Sequence, residues 1–107
     1  MTTFRTLDLA VEFYKKSEEL RLSGNLRDQL TRAASSIALN LSEGNARPTS
    51  RDKKRFYQVA YASLKECQTI FRLLPNKNEE LEKLADHLGA CLYKLMKAEN
   101  RSIRDSV

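Results

Sequence analysis

A run of basic residues with a single carboxylate crosses the middle of this 107-residue chain. Between positions 47 and 55 it contains five cations and one acid, and it spans a break at Pro48 and the start of a predicted helix. Cationic side chains and the free N–H groups of a helix start both bind phosphate. The candidate phosphate-binding residues are Arg47, Arg51, Lys53, Lys54 and Arg55.

Two lysines and two tyrosines lie on one flank of the same predicted helix. Lys54, Tyr57, Tyr61 and Lys65 follow one another at intervals of three or four residues, which is the spacing of a helix face. Aromatic rings among basic side chains stack on unpaired bases while the cations hold phosphates. We therefore include all four as candidate nucleic-acid-binding residues. Two alternatives stay open: a solvated helix start, and tyrosines that pack at a subunit boundary.

The chain lacks the residue spacings that catalytic and metal sites require. His87 is the single histidine, and no motif places a nucleophile or an orienting acid beside it. Glu79, Glu80 and Glu82 are too close along one helix to converge on a substrate, and a solvated first turn is the simpler interpretation. No CxxC, HExxH, glycine-rich phosphate loop or Glu-x-x-His pair occurs. We expect no enzymatic activity, no metal and no cofactor.

Composition limits the class of protein. The 19 basic and 14 acidic residues give a net charge of +5, which favours nucleic acid or another anionic partner, although a solubilising surface explains it as well. Charges occur throughout the first twenty residues, and no apolar run approaches the roughly 20 residues that cross a bilayer. These features predict a cytoplasmic protein without a membrane segment. Cys67 and Cys91 lie on apolar helix faces and are interpreted as buried, reduced thiols.

Four amphipathic segments and three short breaks predict an all-α fold. The helices are expected at about 6–22, 25–45, 50–74 and 77–100, in one domain over residues 1–107. The breaks lie at Ser23-Gly24-Asn25, at Gly44 to Pro48 and at Pro75-Asn76, with Asn25, Thr49 or Ser50, and Asn76 as the predicted N-caps. Past Asn100 the apolar period is lost, so fraying is expected. Because short connections make successive helices antiparallel, we expect an up-down-up-down four-helix bundle.

The apolar stripes predict which faces meet in the core. The clearest stripe is that of the second helix: Leu26, Leu30, Ala33, Ala34, Ile37 and Leu41. The first helix is expected to point Leu7, Ala10, Val11 and Tyr14 inward, with Leu9, Phe13 and Leu20 beside them. The third and fourth helices are expected to contribute Phe56, Ala60, Ser63, Leu64, Cys67, Phe71 and Leu74, and Leu81, Leu84, Leu88, Cys91, Leu92 and Leu95.

A polar stripe runs beside the apolar one on the second helix. Its members recur three or four residues apart and flank the core: Arg32, Ser36, Asn40, Glu43 and, at the helix end, Arg47. Glu66 occupies a similar flank of the third helix. We expect these residues to have a structural role through ion pairs that select the correct helix register, either within or between subunits. A ligand site built from the same groups is the alternative.

The spacing of these polar residues resembles that of a known family. The pattern Arg32-Ala33-Ala34, Ser36-Ile37, Asn40, Ser42-Glu43-Gly44 and Arg47, followed by Phe56, Ala60, Ser63-Leu64 and Glu66, is similar to the proteins encoded in intervening sequences of bacterial 23S ribosomal RNA genes. The resemblance implies an antiparallel four-helix protomer, often in a ring-shaped homopentamer. It also implies kinship with accessory proteins of diversity-generating retroelements, which partner a reverse transcriptase and nucleic acid.

Two departures from that family pattern concern helix packing. The Ser23-Gly24-Asn25 connection is short, and Ala62 stands where glycine is common. The first bears on the ring interface and the second on how closely helices approach. Together the residues and the resemblance predict a non-catalytic, homo-oligomeric accessory protein that binds RNA or structured nucleic acid. The alternative is a protein-binding scaffold, for example for a reverse transcriptase.

Overall fold

The computed structural model describes residues 2–106, which form four α-helices. They are α1 (Thr3–Glu18), α2 (Gly24–Ala46), α3 (Ser50–Leu73) and α4 (Glu79–Asp105). Each helix packs against the next, and α1 also packs against α4, which closes the bundle. The bundle measures 48 × 21 × 20 Å. The predicted all-α four-helix bundle is confirmed.

Contacts between helix ends show that neighbouring helices run in opposite directions. Ser50, at the start of α3, donates from its Oγ to the Oγ of Ser102 near the end of α4, at 2.9 Å. Lys16, near the end of α1, forms an ion pair with Glu80 in the first turn of α4. The up-down-up-down order therefore places the ends of α2 and α4 beside the starts of α1 and α3.

Side-chain caps fix the starts of α3 and α4. The Thr49 Oγ1 accepts a hydrogen bond from the Asp52 N–H at 3.2 Å, as the sequence predicts. At α4 the cap is Asn78, whose Oδ1 accepts from the Leu81 N–H at 2.9 Å. The prediction that Asn76 caps this helix is wrong, because Asn76 lies in the connection two residues earlier. Because the N-cap is Asn78, three glutamates lie in the first turn of α4. Their negative charges interact favourably with the helix dipole and so stabilise the helix.

The connection between α1 and α2 is longer than the sequence indicates. Helix α1 ends at Glu18 because the Arg27 guanidinium of α2 donates to the carbonyl oxygens of Ser17 and Leu20, which a longer helix would use internally. Gly24 does adopt a left-handed φ of +55°, but it begins α2. The N-cap is Ser23, which makes no side-chain cap bond, and Asn25 is already helical.

Helix α4 continues beyond the predicted end at Asn100. Its last turns pack on the bundle: Ser102 bonds to Ser50, and Ile103 is partly buried. The Ser106 N–H then donates to the carbonyl oxygens of Ser102 and Ile103 and closes the helix. The expected fraying after Asn100 is corrected, because tertiary contacts hold these turns.

The buried residues of α2 confirm its predicted apolar stripe, whereas those of α1 differ from the prediction. Leu30, Ile37 and Leu41 are fully buried, with Ala33 and Ala34 between them. On α1 the buried line is instead Thr6, Ala10, Phe13 and Ser17, and Val11 is 38% exposed. Thr6 satisfies its hydroxyl by donating from Oγ1 to the Thr2 carbonyl oxygen at 3.1 Å. The predicted inward face of α1 is therefore rotated by about one residue.

The cores of α3 and α4 contain smaller differences. Tyr57 and Ile70 are buried on α3, whereas Phe56 and Phe71 lie half-buried at its edges. On α4 the buried residues are Leu81, Ala85, Leu88, Cys91 and Leu92. Both cysteines are buried as predicted, and burial raises the pKa of the Cys67 thiol to about 12. None of the four helices in the described part is both long and apolar enough to span a membrane.

Candidate nucleic-acid interface

The basic run at the start of α3 is extended by the end of α4. The Ser50–Ser102 hydrogen bond brings these two helix ends together, and Arg101 and Arg104 are exposed there. We call this group the basic end: Arg47, Arg51, Lys53, Lys54, Arg55, Arg101 and Arg104. Arg101 and Arg104 are not among the residues predicted from the sequence, because the apolar period is lost after Asn100. Ile103 lies seven residues after the partly buried Met96, and residues at this spacing share a helix face. This spacing indicates that the helix continues past Asn100.

Two arginines of the basic end are held on one aromatic ring. The guanidinium carbons of Arg47 and Arg55 lie 4.7 and 5.5 Å from the centroid of the Phe56 ring. Each arginine also contacts one carboxylate: Arg47 bonds to Glu43 at 2.8 Å and Arg55 to Asp52 at 3.3 Å. A guanidinium has five N–H donors, so one carboxylate contact leaves donors for phosphate oxygens.

The lysines of the basic end differ in how available they are. The Lys53 Nζ donates to the Asn45 carbonyl oxygen at 3.0 Å and so satisfies a free carbonyl near the end of α2. Lys54 is half-buried, whereas Arg51 is exposed. Among the described residues, the cations of this end that form no ion pair are Arg51, Lys53, Lys54, Arg101 and Arg104.

The structure separates the two candidate tyrosines. Tyr57 is 2% exposed and its ring packs on Gly44 of α2, so we assign it to the core and not to the interface. Burial raises the pKa of the Tyr57 phenol. Tyr61 lies half-buried on the side of α3 that faces α4, and the Lys65 Nζ lies 5.1 Å from its ring centroid. Of this pair, Tyr61 is partly exposed and Tyr57 is not.

The predicted polar stripe joins α2 to α3. The Ser63 Oγ donates to the Ser36 Oγ at 2.8 Å, and the Asn40 Nδ2 donates to the carbonyl and hydroxyl oxygens of Ser36 at 2.8 and 3.0 Å. Arg47 pairs with Glu43 within one protomer. Arg32 and Glu66 are exposed, and neither forms an ion pair with another described residue.

Exposed apolar side chains lie beside that stripe. Leu39 is 68% exposed on α2, three and four residues from Ser36 and Glu43, and Val59 is exposed on the facing flank of α3. We call the surface containing Arg32, Leu39, Val59, Ala62 and Glu66 the α2–α3 face. It combines uncovered apolar area with one free cation and one free anion.

The candidate catalytic groups make no convergent site. His87 is exposed and lines a shallow surface cavity with Arg5, Asp8, Leu9 and Glu12. Glu80 pairs with Lys16, which lowers the pKa of the carboxyl and raises that of the amine. Across residues 2–106 there is no group of three or more histidine, cysteine or carboxylate side chains placed to hold a metal.

Comparison with known proteins identifies a family for this chain. A family model described as 23S rRNA-intervening sequence protein matches residues 4–97. No curated protein and no solved structure matches the chain significantly. The match includes α2 and α3 completely and most of α1 and α4, so it contains both stripes. The chain therefore belongs to the 23S rRNA-intervening sequence protein family.

Proposed function

We propose that this protein is a cytoplasmic, non-catalytic accessory protein that binds structured RNA through the basic end of its bundle. The observation that carries the proposal is the meeting of two basic helix ends through the Ser50–Ser102 contact. Phosphate contacts supply most of the affinity in binding that does not read sequence. A cluster of arginines and lysines on a rigid helical end is suited to that task.

Charge reversal tests this proposal. We expect the triple substitution Arg51→Glu, Lys54→Glu and Arg55→Glu to weaken binding of a labelled RNA hairpin by about tenfold or more, since three phosphate contacts are lost and repulsion is added. Fluorescence anisotropy measures the affinity, and circular dichroism verifies that the variant is folded. Arg51 and Arg55 are exposed and Lys54 is only half-buried, so the fold should survive.

The opposite end of the bundle provides a matched control. Arg72→Glu, Lys77→Glu and Lys83→Glu change the net charge equally, at exposed positions near the end of α3 and the start of α4. This control should bind the hairpin nearly as well as the original protein. Equal losses in the two triple variants would show that only net charge matters, and the basic end would lose its assigned role.

We also propose that the protein forms a homo-oligomer through the α2–α3 face. Arg32 and Glu66 form no ion pair with another described residue, and Leu39 and Val59 of the same face are exposed. A second copy that pairs Arg32 with Glu66 would cover both features. The family resemblance favours a pentamer. Five basic ends in one ring would bind one RNA together through a high effective concentration.

Exchange of the two charges tests this assembly. Arg32→Glu or Glu66→Arg alone should shift the protein toward monomer in multi-angle light scattering, because each places like charges against each other. The double variant should restore assembly, since it recreates the pair in reverse. Two results would contradict assembly through the α2–α3 face. One is a wild-type protein that is monomeric at micromolar concentration, and the other is normal assembly of the two single variants.

A protein-binding scaffold is the second candidate function. Phe4 is 71% exposed at the start of α1, and with Leu39 it offers apolar contacts to a partner such as a reverse transcriptase. Purification with native partners, with and without nuclease, separates the two functions. A partner that remains after nuclease treatment favours the scaffold, and one that is lost favours RNA binding.

A further inference from the structure

A surface groove between α3 and α4 contains two tyrosines and two lysines. Its volume is about 340 Å³, and it is lined by Tyr61, Lys65 and Gln68 of α3 and by Asp86, Tyr93 and Lys94 of α4. The small residues Gly89 and Ala90 leave the space between these side chains open. The volume falls at the lower end of the roughly 300–1,000 Å³ that is typical of small-ligand sites.

Tyr93 is the unusual residue of this groove. It is 56% exposed, although a tyrosine on the side of α4 that meets α3 would be expected to pack against the partner helix. Tyr61 lies opposite, with its ring already contacted by the Lys65 ammonium at 5.1 Å. Exposed aromatic rings flanked by ammonium groups are the elements that stack on a base and hold its phosphate.

The far end of the groove is closed by a hydrogen bond. The Gln68 Nε2 donates to the Asp86 Oδ1 at 3.1 Å, so the Asp86 side chain keeps further acceptor capacity. A carboxylate repels phosphate but accepts hydrogen bonds from the exocyclic amino group of a base such as cytosine. The groove therefore has a base-accepting end and, at Lys65 and Lys94, phosphate-accepting sides.

The near end of the groove leads to the basic end. On α4, Lys97 lies four residues after Tyr93 and Arg104 lies eleven residues after it. On α3, Lys54 lies seven residues before Tyr61. At a rise of 1.5 Å per residue, Tyr61 lies about 15 Å along α3 from Arg51. Lys97 therefore lies between the groove and the basic end, to which Lys54 and Arg104 belong.

We propose that the α3–α4 groove takes one unpaired nucleotide of the bound RNA, with its base stacked on Tyr93 and its phosphates at Lys65 and Lys94. The inference rests on the proposed RNA binding and narrows it. The preferred ligand is a stem with an adjoining single strand, in which the basic end holds the stem and the groove holds a base. An amino-bearing base such as cytosine is preferred to uracil.

Two RNAs with equal numbers of phosphates test the groove. One is a hairpin with a 3′ tail of unpaired cytidines, and the other is a blunt hairpin. Tyr93→Ala should weaken binding of the tailed RNA by about fivefold or more, the scale of one lost stacking contact, and should leave the blunt hairpin unaffected. Tyr93→Phe keeps the ring and should bind the tailed RNA normally. Leu73→Ala removes an exposed apolar side chain near the other end of α3 and serves as control.

A second measurement does not depend on the basic end. In nuclear magnetic resonance spectra, cytidine 5′-monophosphate should shift the backbone amide signals of Gly89 and Ala90, whereas ribose 5-phosphate, which has no base, should not. If the tailed RNA binds but Tyr93→Ala has no selective effect and the two amides do not shift, the groove proposal is overturned and RNA binding stands. If neither RNA binds but the nucleotide shifts both amides, the proposed RNA binding fails, and the groove is a site for free nucleotides only.

Discussion

Replacing Phe13 with alanine should lower the free energy of unfolding by about 3–5 kcal/mol, the usual cost of removing a phenyl ring from a packed core. Phe13 has no exposed surface, and its ring meets that of Phe71 edge to face at a centroid distance of 6.0 Å. Since small domains are stable by only about 5–15 kcal/mol, the variant should be close to unfolding. Urea denaturation followed by circular dichroism measures the change.

Val11 provides the control within the same helix. The sequence pattern places it in the apolar stripe of α1, but the structure leaves it 38% exposed. Val11→Ala should therefore change the free energy of unfolding by about 0.5 kcal/mol or less, as surface substitutions usually do. If Val11→Ala lowered the free energy of unfolding more than Phe13→Ala does, α1 would have the orientation predicted from the sequence. The observed packing of α1, with Phe13 buried and Val11 exposed, would then be wrong.

Gly44→Ala should destabilise the bundle by about 1–3 kcal/mol, because added atoms in a tight contact force the helices apart. A Cβ on Gly44 would lie 2.7 Å from the Tyr57 Cε1 and 3.0 Å from the Phe56 Cβ. Alanine normally stabilises a helix interior relative to glycine by up to about 1 kcal/mol, so the expected sign is opposite to that of helix propensity. Thermal and urea unfolding both report the difference.

Gly89 is the matched comparison for that substitution. A Cβ there would meet only the Leu64 Cδ2, at 3.2 Å, and the end of a leucine side chain can move by a few tenths of an ångström. Gly89→Ala should therefore be nearly neutral or slightly stabilising. Similar losses at both glycines would contradict the close approach at Gly44, which also positions Phe56 and hence the arginines on its ring.

The fold was predictable where one helix face is uniformly apolar. The α2 stripe from Leu30 to Leu41 and the breaks near Gly24 and Pro48 identify the bundle directly. On α1 the buried face contains Thr6 and Ser17, which a hydrophobic pattern scores as outward-facing. Small hydroxyl side chains fit between close helices, and only the packing of α2 and α4 around α1 reveals that.

The candidate site was predictable only where its residues are consecutive. The run from Arg47 to Arg55 is visible in the sequence, but the arginines of α4 join it through a contact 52 residues apart. Tyr57 and Tyr61 share a sequence pattern, yet the narrow approach at Gly44 buries the first and leaves the second at a groove. The role of Tyr93 in the groove could not be predicted from its neighbours in the sequence, because the residues opposite it lie on another helix.

The salt dependence of RNA affinity tests whether the basic end binds phosphate groups. For the wild-type protein and a labelled RNA hairpin, the slope of log Kobs against log salt concentration should be about −3 or steeper, as expected for roughly four phosphate contacts or more. The Arg51, Lys54 and Arg55 triple variant should have a shallower slope, and the triple variant at the opposite end should keep the wild-type slope. An affinity that is unchanged across the salt series, or no binding at low salt, would contradict RNA binding through phosphate contacts at the basic end.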